Sequence, residues 1–123
     1  MLRSITISLA ALAVVAAALV GGQAASAKER FDLKGEVYPN FKIEMKNSAN
    51  RALKTVKAGT YRIEIEDKSS IHNFHLLGPG VNKSTSVSGV GERIWTVRLK
   101  PGKYTFQCDP HASQMRGSFR VTG

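Results

Sequence analysis

Tyr61-Arg62-Ile63-Glu64-Ile65-Glu66-Asp67 places Tyr61, Ile63 and Ile65 on one face and charged side chains between them. A period of two is that of a half-buried strand, and no helix can satisfy it. Ile94 to Leu99 repeats the alternation, and so does Lys103 to Cys108. Phe31 to Tyr38, Phe41 to Lys46, His72 to Leu77 and Gly117 to Val121 read as further short strands. Phe41, Ile43 and Met45 alternate and read as core. Turn signals separate these segments at Pro39-Asn40, Ala58-Gly59, Gly78-Pro79-Gly80 and Pro101-Gly102. Ser48 to Lys57 reads as a loop or a helical turn with Leu53 and Val56 inward. Val81 to Gly91 reads as a loop or an irregular edge strand. About seven short strands between turns imply an all-β domain, a sandwich or a barrel.

The start of the chain stands apart from this pattern. Arg3 precedes an apolar run from Ile5 to Val20, Gly21-Gly22 ends it, and Ala25-Ser26-Ala27 follows as a small-x-small site. That is the layout of a secretory signal peptide, so residues 1–27 read as a cleaved leader and residues 28–123 as one exported domain, periplasmic or extracellular. An uncut anchor is the alternative, because the run is near the lower limit of spanning length.

The net charge is +9 at pH 7. Lysines and arginines are spread along the chain rather than clustered. An exported protein without a basic run is a poor nucleic-acid binder, whereas an acidic protein or an anionic surface suits this charge.

The chain has a single cysteine, so it cannot form an internal disulfide. A lone thiol in an oxidising compartment needs burial, a partner chain or a metal. Cys108-Asp109-Pro110-His111-Ala112-Ser113-Gln114-Met115 groups that thiol with an imidazole and a thioether. One Cys, two His and a weak Met form the donor set of a mononuclear electron-transfer copper site. Tyr104, Phe106 and Cys108 share a strand face, which points the thiol inward. Upstream, His72 shares the inner face with Phe74, and His75 falls on the outer surface. His72 therefore reads as the second imidazole or as a buried structural histidine. Met115 reads as the weak ligand or as core filler. Pro110 has no N–H to offer the sulfur.

His72-Asn73 followed by Tyr104-x-Phe106-x-Cys108-x-Pro110-His111-x-x-x-Met115 resembles the cupredoxins, the plastocyanin, pseudoazurin and amicyanin group of small blue-copper proteins. The resemblance implies a Greek-key sandwich with one type 1 copper. It implies His72, Cys108 and His111 as equatorial ligands and Met115 as the axial one, with Gln114 as a substitute axial donor. It implies that Asn73 ties the first ligand segment to the cysteine loop. Asp109 stands where the family usually has Ser or Thr, and a carboxylate facing the site would favour Cu(II).

The implied function is one-electron transfer between redox partners by a monomer, without catalysis. An acidic redox protein would dock near His111, and a membrane would be met only through a partner or an uncut leader. A copper carrier, a zinc site and a metal-free binding module are the rivals. A multicopper enzyme needs more imidazoles than the three histidines present.

Overall fold

The computed structural model describes residues 30–123, so the leader read over 1–27 lies outside the described residues. Among the described residues, nine strands form two sheets: β1 Leu33–Tyr38, β2 Lys42–Asn47, β3 Thr55–Lys57, β4 Gly59–Asp67, β5 His75–Gly78, β6 Val81–Ser84, β7 Gly91–Leu99, β8 Gly102–Gln107 and β9 Arg116–Thr122. The first sheet has the order β2-β1-β4-β7 and the second β3-β9-β8-β5-β6. The chain passes repeatedly between the sheets, as in the expected sandwich. Within the first sheet β1 runs parallel to β4, with Leu33 beside Ile63 and Val37 beside Asp67.

The alternation decides the layers. Ile63 and Ile65 of β4, Val37 of β1, Leu76 of β5 and Tyr104 of β8 are almost wholly buried and meet between the sheets. The Phe74 ring lies parallel to Phe106, with centroids 5.9 Å apart, and meets Trp95 of the opposite sheet at 6.3 Å. Stacked and edge-on rings of this kind add to the area they bury. Gly35 makes room for this packing, because a Cβ there would lie 2.6 Å from the Phe74 ring. The Tyr104 hydroxyl donates to the Pro79 carbonyl at 2.8 Å and accepts from Lys100 N at 2.9 Å, which satisfies a buried polar tip.

Three sequence expectations need correction. β5 begins at His75, so His72 lies in the turn before the strand rather than inside it. Ser48 to Lys57 forms no helical turn; it ends in the short strand β3, and Leu53 is buried as expected. Phe41 is not core. It sits in the β1–β2 turn with φ 62° and is 46% exposed. The left-handed backbone of a turn breaks the alternation that read Phe41 together with Ile43 and Met45.

Candidate metal centre

The site lies at one end of the sandwich, where strands of the second sheet begin and end. His72 comes from the turn ahead of β5. Asp67 Oδ1 accepts from Ser69 N at 2.9 Å, and Ser69 Oγ accepts from Ile71 N at 3.2 Å. These side chains take up backbone donors that the turn cannot pair itself. Just after His72, Phe74 N donates to Thr85 Oγ1 and its carbonyl accepts from Thr85 N, both at 2.9 Å. The turn that carries His72 is therefore fastened on both sides.

Cys108 follows the last residue of β8. Asp109–His111 then makes one 3-10 turn with Pro110 in its first positions, where a missing N–H costs nothing. His111 N donates to the Cys108 carbonyl at 3.1 Å, Met115 N to the His111 carbonyl at 2.8 Å, and Cys108 N to the Met115 carbonyl at 3.0 Å. The eight-residue segment closes on itself before β9 starts.

Sγ of Cys108 lies 3.6 Å from His72 Nδ1 and 3.6 Å from His111 Nδ1, and the two nitrogens are 3.0 Å apart. Three donor atoms converge from segments 36 positions apart in sequence. For donors about 2.0–2.3 Å from one metal ion, separations of roughly 3–4 Å follow, so the residues present fit a metal. His72, Cys108 and Met115 are fully buried, while His111 is half-buried and reaches the surface. A thiol with two imidazoles is the donor chemistry of a soft or borderline metal such as copper rather than of a hard cation.

A second observation supports that fit. Among the described residues, the buried side-chain polar atoms without a hydrogen-bond partner are His72 Nε2 and Asp67 Oδ2. Burial pushes the Asp67 carboxyl up, against the Ser69 N–H and the His72 and Arg93 charges. A histidine that gives Nδ1 to a metal carries its proton on Nε2, and a carboxylate is the usual acceptor for it. The sequence carried a signal for this: Asp67 continues the inner face of Tyr61, Ile63 and Ile65, an acid at a core position.

Asn73 bridges the segment after His72 to the cysteine loop. Its Oδ1 accepts from Asp109 N at 2.8 Å, while Nδ2 donates to Asp109 Oδ2 at 2.9 Å and to the Thr85 carbonyl at 3.2 Å. Asp109 turns its carboxylate to this network and not to the sulfur. Its Oδ1 also meets Gln107 Nε2 at 3.0 Å and His75 Nδ1 at 2.8 Å. Burial opposes ionisation of Asp109, but the bonds from Gln107, Asn73 and His75 outweigh it and hold the carboxyl below its usual range. His75 faces the outer side as expected, yet it is no idle surface residue, because Nε2 also bonds Asn82 Oδ1 at 2.6 Å. Burial lowers the pKa of His75; the Asn82 and Asp109 bonds more than compensate and raise it.

Sequence reasoning missed Phe41 at the site. Its ring meets the edges of both His72 and His111, each with centroids 4.9 Å apart. No sequence signal places it there, because the first sheet brings the β1–β2 turn across to the ligand end.

A two-sheet sandwich with a His-Cys-His cluster on one rim defines a small β-sandwich metal protein. The profile of the copper-binding proteins, plastocyanin/azurin family, matches residues 37–122, and the chain belongs to that family. Its cofactor is one type 1 copper. The chain is similar to reduced rusticyanin, with 22% identity over 73% of this chain and 77% of that one and a TM-score of 0.54. It is also similar to rusticyanin from Thiobacillus ferrooxidans, with 20% identity over 73% and 75% and a TM-score of 0.51. An oxidised amicyanin mutant aligns with 18% identity over 74% and 82% at a TM-score of 0.49. The rusticyanin likeness is one of fold. No curated protein matches the sequence.

Proposed function

We propose that His72, Cys108 and His111 hold the copper with Met115 as the weak fourth ligand, and that the chain is an exported one-electron carrier. The observation that carries this reading is the meeting of one sulfur and two imidazole nitrogens within 3.0–3.6 Å at a buried rim. Copper held there by these residues would supply a one-electron couple between Cu(II) and Cu(I). Thiolate and thioether suit the reduced ion, and imidazole suits both states. The turn and loop hydrogen bonds hold the donors in place, which keeps rearrangement between the two states small. Pro110 and Asn73 shape the surroundings of the sulfur, one by withholding an N–H and the other by fixing the Asp109 backbone.

His111 is the half-buried donor, so electrons pass through its edge to a partner. Phe41 and Ala112 flank that exit with apolar surface. The supply of imidazoles argues against catalysis. Two of the three histidines are in the cluster, and His75 is committed to Asp109 and Asn82. No imidazole is left for a second copper centre. The partner is a redox protein with an acidic surface, and the chain acts as a monomer. The export reading comes from residues 1–27; among the described residues no helix is long and apolar enough to cross a membrane.

The test is addition of Cu(II) to the folded protein, followed by visible and electron paramagnetic resonance spectra. An intense blue or green thiolate-to-copper band with narrow hyperfine splitting is expected. It should bleach with a reductant and return with an oxidant without release of the ion. A colourless complex would overturn the electron-carrier reading, and release on reduction would make the chain a copper carrier.

A further inference from the structure

The two outer faces of the sandwich are charged differently. Among the described residues, Asp32, Glu36, Glu44, Glu64, Glu66, Asp67 and Glu92 belong to the first sheet or its flanks, and Asp109 is the remaining acid. The first sheet neutralises its own lysines. Lys34 meets Glu66 at 2.7 Å, Lys42 meets Glu44 at 2.9 Å, and Lys46 meets Glu44 at 3.0 Å.

Among the described residues, no lysine or arginine of the second sheet forms an ion pair, and the sheet's one acid pairing is His75 with Asp109. Tyr104 and Phe106 of β8 and Phe119 and Val121 of β9 point inward, so alternation turns Lys103, Arg116 and Arg120 outward. The β3–β9 register sets Thr55 beside Arg120 and Lys57 beside Thr122, which adds Lys57 to the same face. Lys54 precedes β3, and its carbonyl accepts from Arg120 N at 2.9 Å. All five cations are exposed, and none takes part in an ion pair or a ring contact among the described residues. A depression of about 330 Å³ lies between Lys54, Lys103, Ser118, Phe119 and Arg120.

We propose that this outer face, from Arg116 through Arg120 and Lys103 to Lys57, is the docking surface for an acidic protein, whose carboxylates seat in the Lys54–Lys103–Arg120 depression. The Arg120 guanidinium, two lysines and a serine hydroxyl in the depression suit carboxylates, which arginine takes in pairs of parallel bonds. Unpaired cations held at strand spacing also steer a negative partner during approach. The exposed large apolar residues, Phe41, Ile71, Val87, Val90 and Ile94, all lie off this face. An acidic protein surface therefore fits better than a membrane, where basic residues usually work beside an inserted apolar group. Arg116 directly follows Met115 and pairs across from Gln107, so the face abuts the metal centre. Only the Arg116 end of the face lies beside the metal loop; the Lys103–Arg120 pair stands four residues further along β8 and β9. This deepens the acidic-partner reading above and rests on it, but its test reads binding and not electron transfer, so the two can fail separately.

The test titrates the folded ¹⁵N-labelled chain, with and without copper, against poly-L-glutamate at low and high salt. Amide shifts are expected over residues 54–57, 102–107 and 116–120 and not over the first sheet. Lys103→Glu with Arg120→Glu should weaken binding about tenfold or more, while Lys42→Glu with Arg98→Glu, an equal change in net charge, should alter it less than about twofold. Melting curves confirm that each variant is folded; if the first pair unfolds, Lys57→Glu is compared with Lys42→Glu alone, again at equal change in net charge. Equal weakening by both pairs would overturn the proposal, because net charge alone would then explain binding. So would shifts centred on the first sheet, or tighter binding to phosphatidylglycerol vesicles than to poly-L-glutamate.

Discussion

The two sheets divide the work unequally. All four proposed ligands hang from the ends of second-sheet strands: His72 before β5, Cys108 after β8, and His111 and Met115 in the closed loop before β9. The first sheet supplies the opposite wall of the core and a charge-balanced outer face. It reaches the metal end through the Phe41 ring and the Asp67 carboxylate. Chemistry is thus built at the frayed ends of one layer, while the other layer fixes where those ends stand. Loops on a rigid scaffold are the usual place for such groups, and here the scaffold is mostly the sheet that does not bear the donors.

The largest expected effect breaks this division on the second sheet. Cys108→Ser should abolish the intense visible band completely when Cu(II) is added, because no thiolate remains to donate charge. Removing a charge from the first sheet, as in Lys42→Gln, should leave the spectrum as it is. A blue Cys108→Ser protein would remove the sulfur from the proposed site.

Phe74 tests whether the sheets depend on each other. It is fully buried between Phe106 of one sheet and Trp95 and Gly35 of the other. Phe74→Ala should cost about 3–5 kcal/mol in chemical denaturation of the copper-free protein, through lost transfer energy and the cavity left behind. A loss below about 1 kcal/mol would mean that the layers close up around the gap, which stacked aromatic neighbours make difficult.

Asp67 sharpens the comparison, since its Oδ2 on the first sheet and the His72 Nε2 are the two buried side-chain polar atoms left without a partner among the described residues. Asp67→Asn keeps an oxygen for Ser69 N but removes the charge that favours an Nε2 proton on His72. Copper affinity, read by competition with a chelator, should fall about 10–100-fold. The copper-free protein should be no less stable, because a buried carboxylate with one unpartnered oxygen is itself costly. Unchanged affinity would reduce Asp67 to a turn residue.

Much of this was legible in the sequence because β-structure and metal ligation both leave local marks. Alternation from Tyr61 to Asp67 and from Tyr104 to Cys108 gave the inner faces correctly, and the spacing from Cys108 to Met115 gave the loop. The turn before β5 was read as strand because His72, Phe74 and Leu76 keep a period of two even where no partner strand accompanies them. Phe41 was illegible for the opposite reason. Its pattern is that of a strand, but its place depends on a left-handed backbone and on a turn that crosses to another layer. The role of His75 was hidden because Asp109 meets it from 34 positions away.

The smallest expected effect separates the sheets by pH. On the first sheet, burial raises the pKa of Glu36, but the Tyr38 hydroxyl with Lys34, Lys46 and Lys68 outweighs it and holds the carboxyl low. Tyr38 itself is pushed up to about 12 by its bond to Glu36. Glu66 is held low, first by its bond to Lys34. A lowered carboxyl contributes stability above its unfolded value of 4.5 and loses it as pH falls through the folded value. His75 has the reverse sign: its raised pKa contributes stability that is complete below 6.5 and lost as pH rises through the folded value. In copper-free protein, Glu36→Gln should therefore flatten the acid limb of melting temperature against pH and leave the limb unchanged from 6.5 up to the pH where Tyr38 begins to titrate. His75→Gln should mainly flatten the limb above 6.5, with a smaller loss on the acid side because Asp109 gives up one of its donors. The His75 effect should be the smaller, because that ring lies within reach of solvent while Glu36 is buried. If Glu36→Gln altered the upper limb as strongly as the lower one, the two faces would not be electrostatically independent.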